Sequence, residues 1–411
     1  MPDLLRSRAQ SATPAVETSV ILLWLQGGPS HLETWDMKPD APAEFRGEFN
    51  PIQTAVPGLN ICEHMPQQAK IASKFNIVRS LTHDVIDHPG AAWRFLTGRR
   101  PINISALDAK FPSIECVVAK SREHLHTDLP AYVSNDRHQS KKGAAYLGPT
   151  YDPFLVMADP SKPDFKVDNL SLNPSFSENI DDRMTLLKSF DAFRRKADDA
   201  VVTDRFNQMA LQMITSDRAR CAFDIQQEST ALRDRYGRTE VGQRLLLARR
   251  LIEAGISFVT VEMHGWDDHG DSGMIFDNLR KRLPVLDQAL SALIEDVHAR
   301  GLDRRVMVIA CGEFGREPRL SKRPAAGAKI GRDHWPSAMS LLVSGGGMQT
   351  GQVIGETTSK GETPKQRRLD PNDFLATVYR FLGIDPEHSF LDFTGRPMPI
   401  LPYGNPIREL M

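Results

Sequence analysis

The sequence predicts an α/β protein whose central sheet is largely parallel and carries helices on both faces. Three stretches carry that reading. In "SVILLWLQGGPSHLETWD" an unbroken apolar run passes directly into Gly27-Gly28-Pro29-Ser30, which is how a strand buried on both faces ends in a loop. "GQRLLLARRLIEAGISFVTVEMHGWDDHGD" reads as a helix with apolar residues at helical spacing, a stop at Gly255, a strand and a polar loop. "FDNLRKRLPVLDQALSALIEDVHARGLDRRVMVIACGEFGR" repeats helix, glycine stop, apolar strand and polar loop. Such alternation builds β-α-β units, and the handedness of those units lays their strands parallel.

Taken in order, residues 1–18 are expected to be a flexible N-terminal segment, and 19–411 a single domain. Residues 176–250, rich in helix formers and charge and with no strand pattern, are expected to be a helical insertion that contributes little to any polar site. Loops rich in Lys, Gly and Pro are expected over 321–334 and 355–370. No repeat or low-complexity tract interrupts the pattern.

Composition narrows the classes of function. With 51 basic and 52 acidic residues and a formal charge of −1, no global field attracts nucleic acid or an anionic membrane. The longest early apolar run is far shorter than the roughly 20 residues of a membrane-spanning helix, so no transmembrane segment is expected. The stretch "MPDLLRSRAQSATPAVETS" has no apolar core, so no signal peptide is visible in it. Cys62, Cys116, Cys221 and Cys311 are scattered without CxxC spacing, which argues against a thiolate zinc site or a disulfide scaffold.

The chemistry concentrates after strands. "EMHGWDDHGD" puts Glu262, His264, Asp267, Asp268, His269 and Asp271 within ten residues. Imidazole nitrogen beside carboxylate oxygen suits zinc or manganese, and calcium is a further option; a solvated turn capping the next helix is the alternative. Asp333 and His334 precede another apolar strand, in what taken alone reads as an exposed loop. Glu313 and Arg316 in "CGEFGREPR" could bind a metal and an anionic oxygen, or form a buried ion pair. In a parallel sheet these loops converge on the carboxyl edge, so Asp267, His269 and His334 are expected in one coordination sphere.

These residues carry a resemblance. "VLDQALSALIEDVHARGLDRRVMVIACGEFG" and the ending "DFLATVYRFLGIDPEHSFLDFTGRPMPIL" are similar to sulfatases and other alkaline-phosphatase-superfamily enzymes. Closer still, "LQGGPSHLETWDMKPDAP", "IVRSLTH", "LTGRRP", "LARRLIEAGISFV", "GWDDHGD", "GEFGR" and "GRDHW" resemble the bacterial family known as domain of unknown function 1501, over residues 19–402. The resemblance implies an alkaline-phosphatase-like three-layer sandwich and a metal-dependent hydrolase acting on a sulfate or phosphate ester of a small molecule or polysaccharide. It also implies export or a periplasmic location, with the signal outside this chain; otherwise the protein is cytoplasmic.

Departures from the superfamily pattern suggest an alternative. Sulfatases carry a Cys or Ser nine residues before their Thr-Gly, where this chain has His88 before Thr97-Gly98. The first-strand aspartate becomes Gln26 or Gly27, and the Asp-His of the later strand becomes Glu313-Phe314. A degenerate, non-catalytic member that binds polysaccharide or a partner protein is therefore the second reading; a phosphomutase would need a phosphorylatable nucleophile. By resemblance, the catalytic residues are His88 and Arg316, and the metal ligands Asp267, His269, Glu313, Asp333 and His334. Ser30, His31, Asp36 and Arg94 are assigned to substrate. His88 could be a ligand, a general acid or base, a nucleophile, or an inert residue at a helix start; its ring is expected to share a pocket with Asp267, His269, Glu313 and His334. The helix N-terminus at His88 is expected to offer unpaired N–H groups to an anion.

Overall fold

Strand β1, Ser19–Leu25, is buried at every residue because it lies in the middle of an eight-stranded sheet. The computed structural model describes residues 17–101, 110–125, 128–135, 143–167, 170, 212–324 and 327–411. The flexible segment expected over 1–18, apart from Glu17 and Thr18, lies outside these residues, as do residues 176–211 of the expected helical insertion.

The other sheet strands are β2 (Phe75–Leu81), β3 (Tyr132–Ser134), β4 (Phe154–Leu155), β5 (Phe258–Met263), β6 (Val306–Cys311), β7 (Met339–Gly345) and β8 (Val353–Ile354). Their spatial order is β8-β2-β7-β6-β1-β5-β3-β4. β1 pairs in parallel with both β5 and β6, aligning Leu22 with Thr260 on one side and Ile309 on the other. Only β7 runs against its neighbours β2 and β6. Its start therefore lies at the same edge as the ends of the parallel strands, and the loop before it joins the loops that follow them.

Alternation along β1 shows the three layers. Ile21, Leu23 and Leu25 enter one apolar cluster with residues of helices α3 (Glu240–Glu253) and α4 (Ile275–Ala299). Val20, Leu22 and Trp24 enter another with residues of α1 (His88–Thr97), α2 (Ile114–Ser121) and α5 (Pro371–Phe381). Successive strand side chains point to opposite faces, so a strand sandwiched this way must be apolar at every position. This is the α/β three-layer arrangement with a mostly parallel sheet.

Between residues 217 and 253 the chain is mainly helical, with Asp217–Phe223 and Thr230–Tyr236 preceding α3. α3 itself packs on β1 and β5 as part of a sandwich layer. Its start is capped by Thr239, whose hydroxyl accepts from Gly242 N at 3.2 Å, and its end passes into the left-handed turn at Gly255. α4 likewise runs out at Gly301 and returns the chain to β6. Among the described residues no helix is long and apolar enough to cross a membrane.

Candidate metal centre

At the carboxyl edge the end of β1 leads to Gly27, that of β5 to Asp267 and His269, that of β6 to Glu313, and that of β2 to the start of α1 at His88. His334 arrives from the other direction. A two-residue antiparallel ribbon pairs His334–Trp335 with Gly315–Arg316, which ties the loop before β7 to the loop after β6.

His88, Asp267, His269 and His334 each offer a ligand atom there, and these atoms lie within 4.8 Å of one another. The Nε2 atoms of His269 and His334 are 2.9 Å apart. Asp267 Oδ1 is 2.6 Å from Nε2 of His269 and 3.2 Å from Nε2 of both His88 and His334. Two ligands of one tetrahedral zinc, each bonded at 2.0–2.1 Å, stand about 3.3 Å apart.

The opposite ring nitrogens are all occupied. His88 Nδ1 lies 2.6 Å from Glu313 Oε1, His269 Nδ1 is 2.6 Å from Asp333 Oδ1, and His334 Nδ1 is 2.7 Å from the Ile86 carbonyl. An acceptor on Nδ1 holds the proton there and leaves the Nε2 lone pair for a cation. Three rings arranged in this way, with one carboxylate, form a donor set that fits zinc or manganese.

Charge in the centre follows from these contacts. Burial disfavours the His88 cation, but the Asp267 and Glu313 carboxylates outweigh it and raise its pKa to about 9, so a metal at its Nε2 would displace a proton from that ring. Burial also opposes the Asp267 anion, yet the three imidazoles and the Arg316 guanidinium hold its carboxyl far below the usual range.

Glu313 and Asp333 sit behind the rings instead of among the converging atoms. Glu313 is fully buried and also accepts from Gly27 N at 2.9 Å; Asp333 accepts from Arg323 as well. Arg316 is 0% exposed, with donors on the Gly27, Gly28 and Arg332 carbonyls and, at 2.5 Å, on Asp267 Oδ1. It acts through Asp267, and none of its nitrogens faces open space where a substrate could stand.

The four residues assigned to substrate are not brought to the centre. Ser30 donates to Glu33, which pairs with the buried Arg332. His31 meets the Gly361 carbonyl at 2.8 Å, and Asp36 engages Lys38, Arg79 and Thr357. Arg94 points along α1 to Asn372 at 2.5 Å and to Tyr403 at 3.0 Å, fastening the C-terminal segment. At the start of α1 Pro89 has no N–H to offer an anion, and Gly90 N is taken by the Asp87 carboxylate, which accepts from it at 2.8 Å.

Three contributors escape sequence reasoning. The Ile86 carbonyl is a backbone group with no residue signature. His83 lies 2.6 Å through Nε2 from the Glu313 carbonyl while its Nδ1 accepts from Val85 N; burial lowers its pKa to about 4 and keeps it neutral. The "IVRSLTH" motif contained it without indicating a role. Gly27 is the third: at φ +111°, a Cβ on it would stand 2.4 Å from Asp267 N.

Fold and site together define an α/β sandwich protein with a candidate metal centre at its carboxyl edge. The chain belongs to the family described as protein of unknown function (DUF1501), whose family model matches residues 17–411. No curated protein matches it. Among solved structures it is similar to the lipoteichoic acid synthase LtaP from Listeria monocytogenes, at 12% identity over 97% of this chain and 80% of that one, TM-score 0.41. It is also similar to the PsFucS1 sulfatase from Pseudoalteromonas sp., at 13% identity over 93% and 70%, TM-score 0.39. A protein in the alkaline phosphatase superfamily from Vibrio parahaemolyticus is similar at 10% identity over 93% and 74%, TM-score 0.41. Likeness at this level carries no argument about chemistry, which must come from the side chains.

Proposed function

We propose that this protein is a metal-dependent hydrolase that cleaves a sulfate or phosphate ester with water as the nucleophile. The observation that carries the proposal is the convergence of three Nε2 atoms on Asp267 Oδ1, each ring held from behind through Nδ1. His88, Asp267, His269 and His334 would hold the cation. Glu313, Asp333 and the Ile86 carbonyl orient the rings, and Arg316 positions Asp267. When bound, a divalent cation polarises the ester and lowers the pKa of water. Position 88 carries an imidazole turned toward two carboxylates in place of a hydroxyl or thiol, so the chain supplies no acyl- or phosphoryl-type serine there.

The test is metal analysis of purified protein after dialysis against zinc or manganese. Hydrolysis of p-nitrophenyl sulfate and p-nitrophenyl phosphate is then measured with and without chelator. One bound metal per chain and chelator-sensitive hydrolysis are expected, both lost in His269→Ala. The imidazole at position 88 also favours a second reading, a non-catalytic metal-bearing protein that binds polysaccharide or a partner. Tight metal binding with no hydrolysis of either ester would select it.

A further inference from the structure

Beside the centre, on the His334 side, an open cleft of about 890 Å³ is lined by His83, His334, Trp335, Ser337, Thr363 and Arg368 among others. None of these residues except His334 belongs to the metal cluster. The cleft is large enough to take the portion of a substrate that extends away from a reacting group.

Trp335 is half-buried, lines the cleft and is fixed at one end. Its Nε1 donates to the Glu362 carbonyl at 2.6 Å, and its backbone is held in the ribbon with Gly315. Among the described residues no cation and no second ring is stacked on the indole. Arg368 is exposed, and among the described residues no carboxylate pairs with it. Of the other charges of the cleft, Asp84 pairs with Arg100 and Asp333 with Arg323 and His269, while the half-buried Glu317 lines it without an ion pair among the described residues.

We propose that this cleft is a subsite for an anionic saccharide, with a sugar ring on Trp335 and a sulfate or carboxylate of the same molecule on Arg368. Three features point to that ligand class. An indole anchored through its N–H presents a flat apolar face, which suits the C–H face of a pyranose. The hydroxyls of Ser337 and Thr363 can exchange hydrogen bonds with sugar hydroxyls. An unpaired guanidinium binds a planar or tetrahedral anion through two parallel donors. A purely apolar ligand would leave Arg368 and the hydroxyls without partners, and a bare anion would not use the indole. The placement beside His334 makes this the site of the alcohol part of the ester, and to that extent the inference rests on the hydrolytic reading above.

The test is direct binding to the full chain, with and without zinc, by calorimetry and tryptophan fluorescence. The probes are a heparin hexasaccharide, its desulfated counterpart and tripolyphosphate. The heparin hexasaccharide is expected to bind and to perturb the fluorescence, with the desulfated form at least about tenfold weaker. Arg368→Ala is expected to cost about tenfold, as removal of a charged hydrogen bond does, and Arg368→Lys less. Trp335→Ala is expected to abolish the fluorescence change and weaken the hexasaccharide. Arg368 is exposed, so its variants fold, and circular dichroism verifies that they do. Equal affinity of Arg368→Ala and the parent protein would overturn the subsite, as would desulfated hexasaccharide or tripolyphosphate binding as tightly as the sulfated sugar. These readouts need no turnover: hexasaccharide binding without hydrolysis of any ester would sink the hydrolase reading alone, and hydrolysis without sulfate-dependent binding would sink the subsite alone.

Discussion

At the scale of single residues, each imidazole of the centre is told which nitrogen to offer by a group that stands behind it. Asp333 does this for His269 across 2.6 Å, and Arg323 holds Asp333 in turn. Partners of this kind set ring orientation and basicity, and losing one typically costs 10–100-fold in metal affinity. Asp333→Ala is therefore expected to weaken zinc by about that factor in a competition titration against a chelator, with the circular dichroism spectrum unchanged. Arg316 plays a heavier part. It is 0% exposed and satisfies three backbone carbonyls together with Asp267. Arg316→Met leaves the three carbonyls without this donor and takes the guanidinium from the half-exposed Asp267, and each buried acceptor left unpaired costs about 1–3 kcal/mol, read as a lower midpoint in urea. Lysine is not expected to rescue it, because one ammonium cannot reproduce a planar fork aimed at carbonyls on two loops.

At the scale of elements, the site depends on how closely the loops approach. Gly27 follows β1 at φ +111°, where a Cβ would overlap Asp267 N at 2.4 Å. Gly27→Ala is expected to push the 264–271 loop outward, losing metal binding as well as the roughly 1–3 kcal/mol of a strained backbone. Away from the site, α4 supports a short helix, Pro66–Lys70, through Asp287: its two oxygens accept from Gln67 N at 2.8 Å and Gln68 N at 2.7 Å. Burial raises the Asp287 pKa to about 6 in spite of those bonds. Below about pH 4 the carboxyl is protonated whether the chain is folded or not. Between there and pH 6 the unfolded chain releases its proton while the folded chain keeps it, so stability falls as pH rises. The parent protein is expected to lose on the order of 1–3 kcal/mol relative to Asp287→Asn across that window, measured by urea unfolding at each pH. A difference between the two proteins that stays flat from pH 4 to pH 6 would refute this.

At the scale of the whole molecule, residues 267–269 and 334 come from loops separated by α4, β6 and the 313–316 ribbon, so a cation that joins them binds the folded chain and not the unfolded one. Zinc at about a hundred times its Kd is expected to add about 2.7 kcal/mol and raise the melting temperature, and His269→Ala is expected to abolish the rise. A scan in which zinc leaves the melting temperature of the parent protein unchanged would remove the centre.

The apolar run 20–25 and the two helix–glycine–strand units were legible as a parallel α/β sheet because burial on both faces leaves a one-dimensional trace: no polar residue interrupts the run. His269, Asp267 and His334 were legible because each stands beside such a strand, and topology alone sends strand ends to one edge. Other features were not local properties. The reversal of β7, which delivers His334 to that edge from the opposite direction, depends on pairing with β2 and β6. The same holds for Arg316, Ser30, His31, Asp36 and Arg94: a polar residue near a strand end reads alike whether it faces a substrate or a buried partner. Only the packed chain shows that Arg94 turns to Asn372 and Arg316 to the Gly27 and Gly28 carbonyls. The sequence by itself determined the layers and the edge at which polar groups collect, since hydrophobic periodicity is written residue by residue. Which of those groups converge, and which nitrogen each ring offers, was decided by tertiary structure, since hydrogen bonds such as that from His334 to the Ile86 carbonyl join positions 248 residues apart.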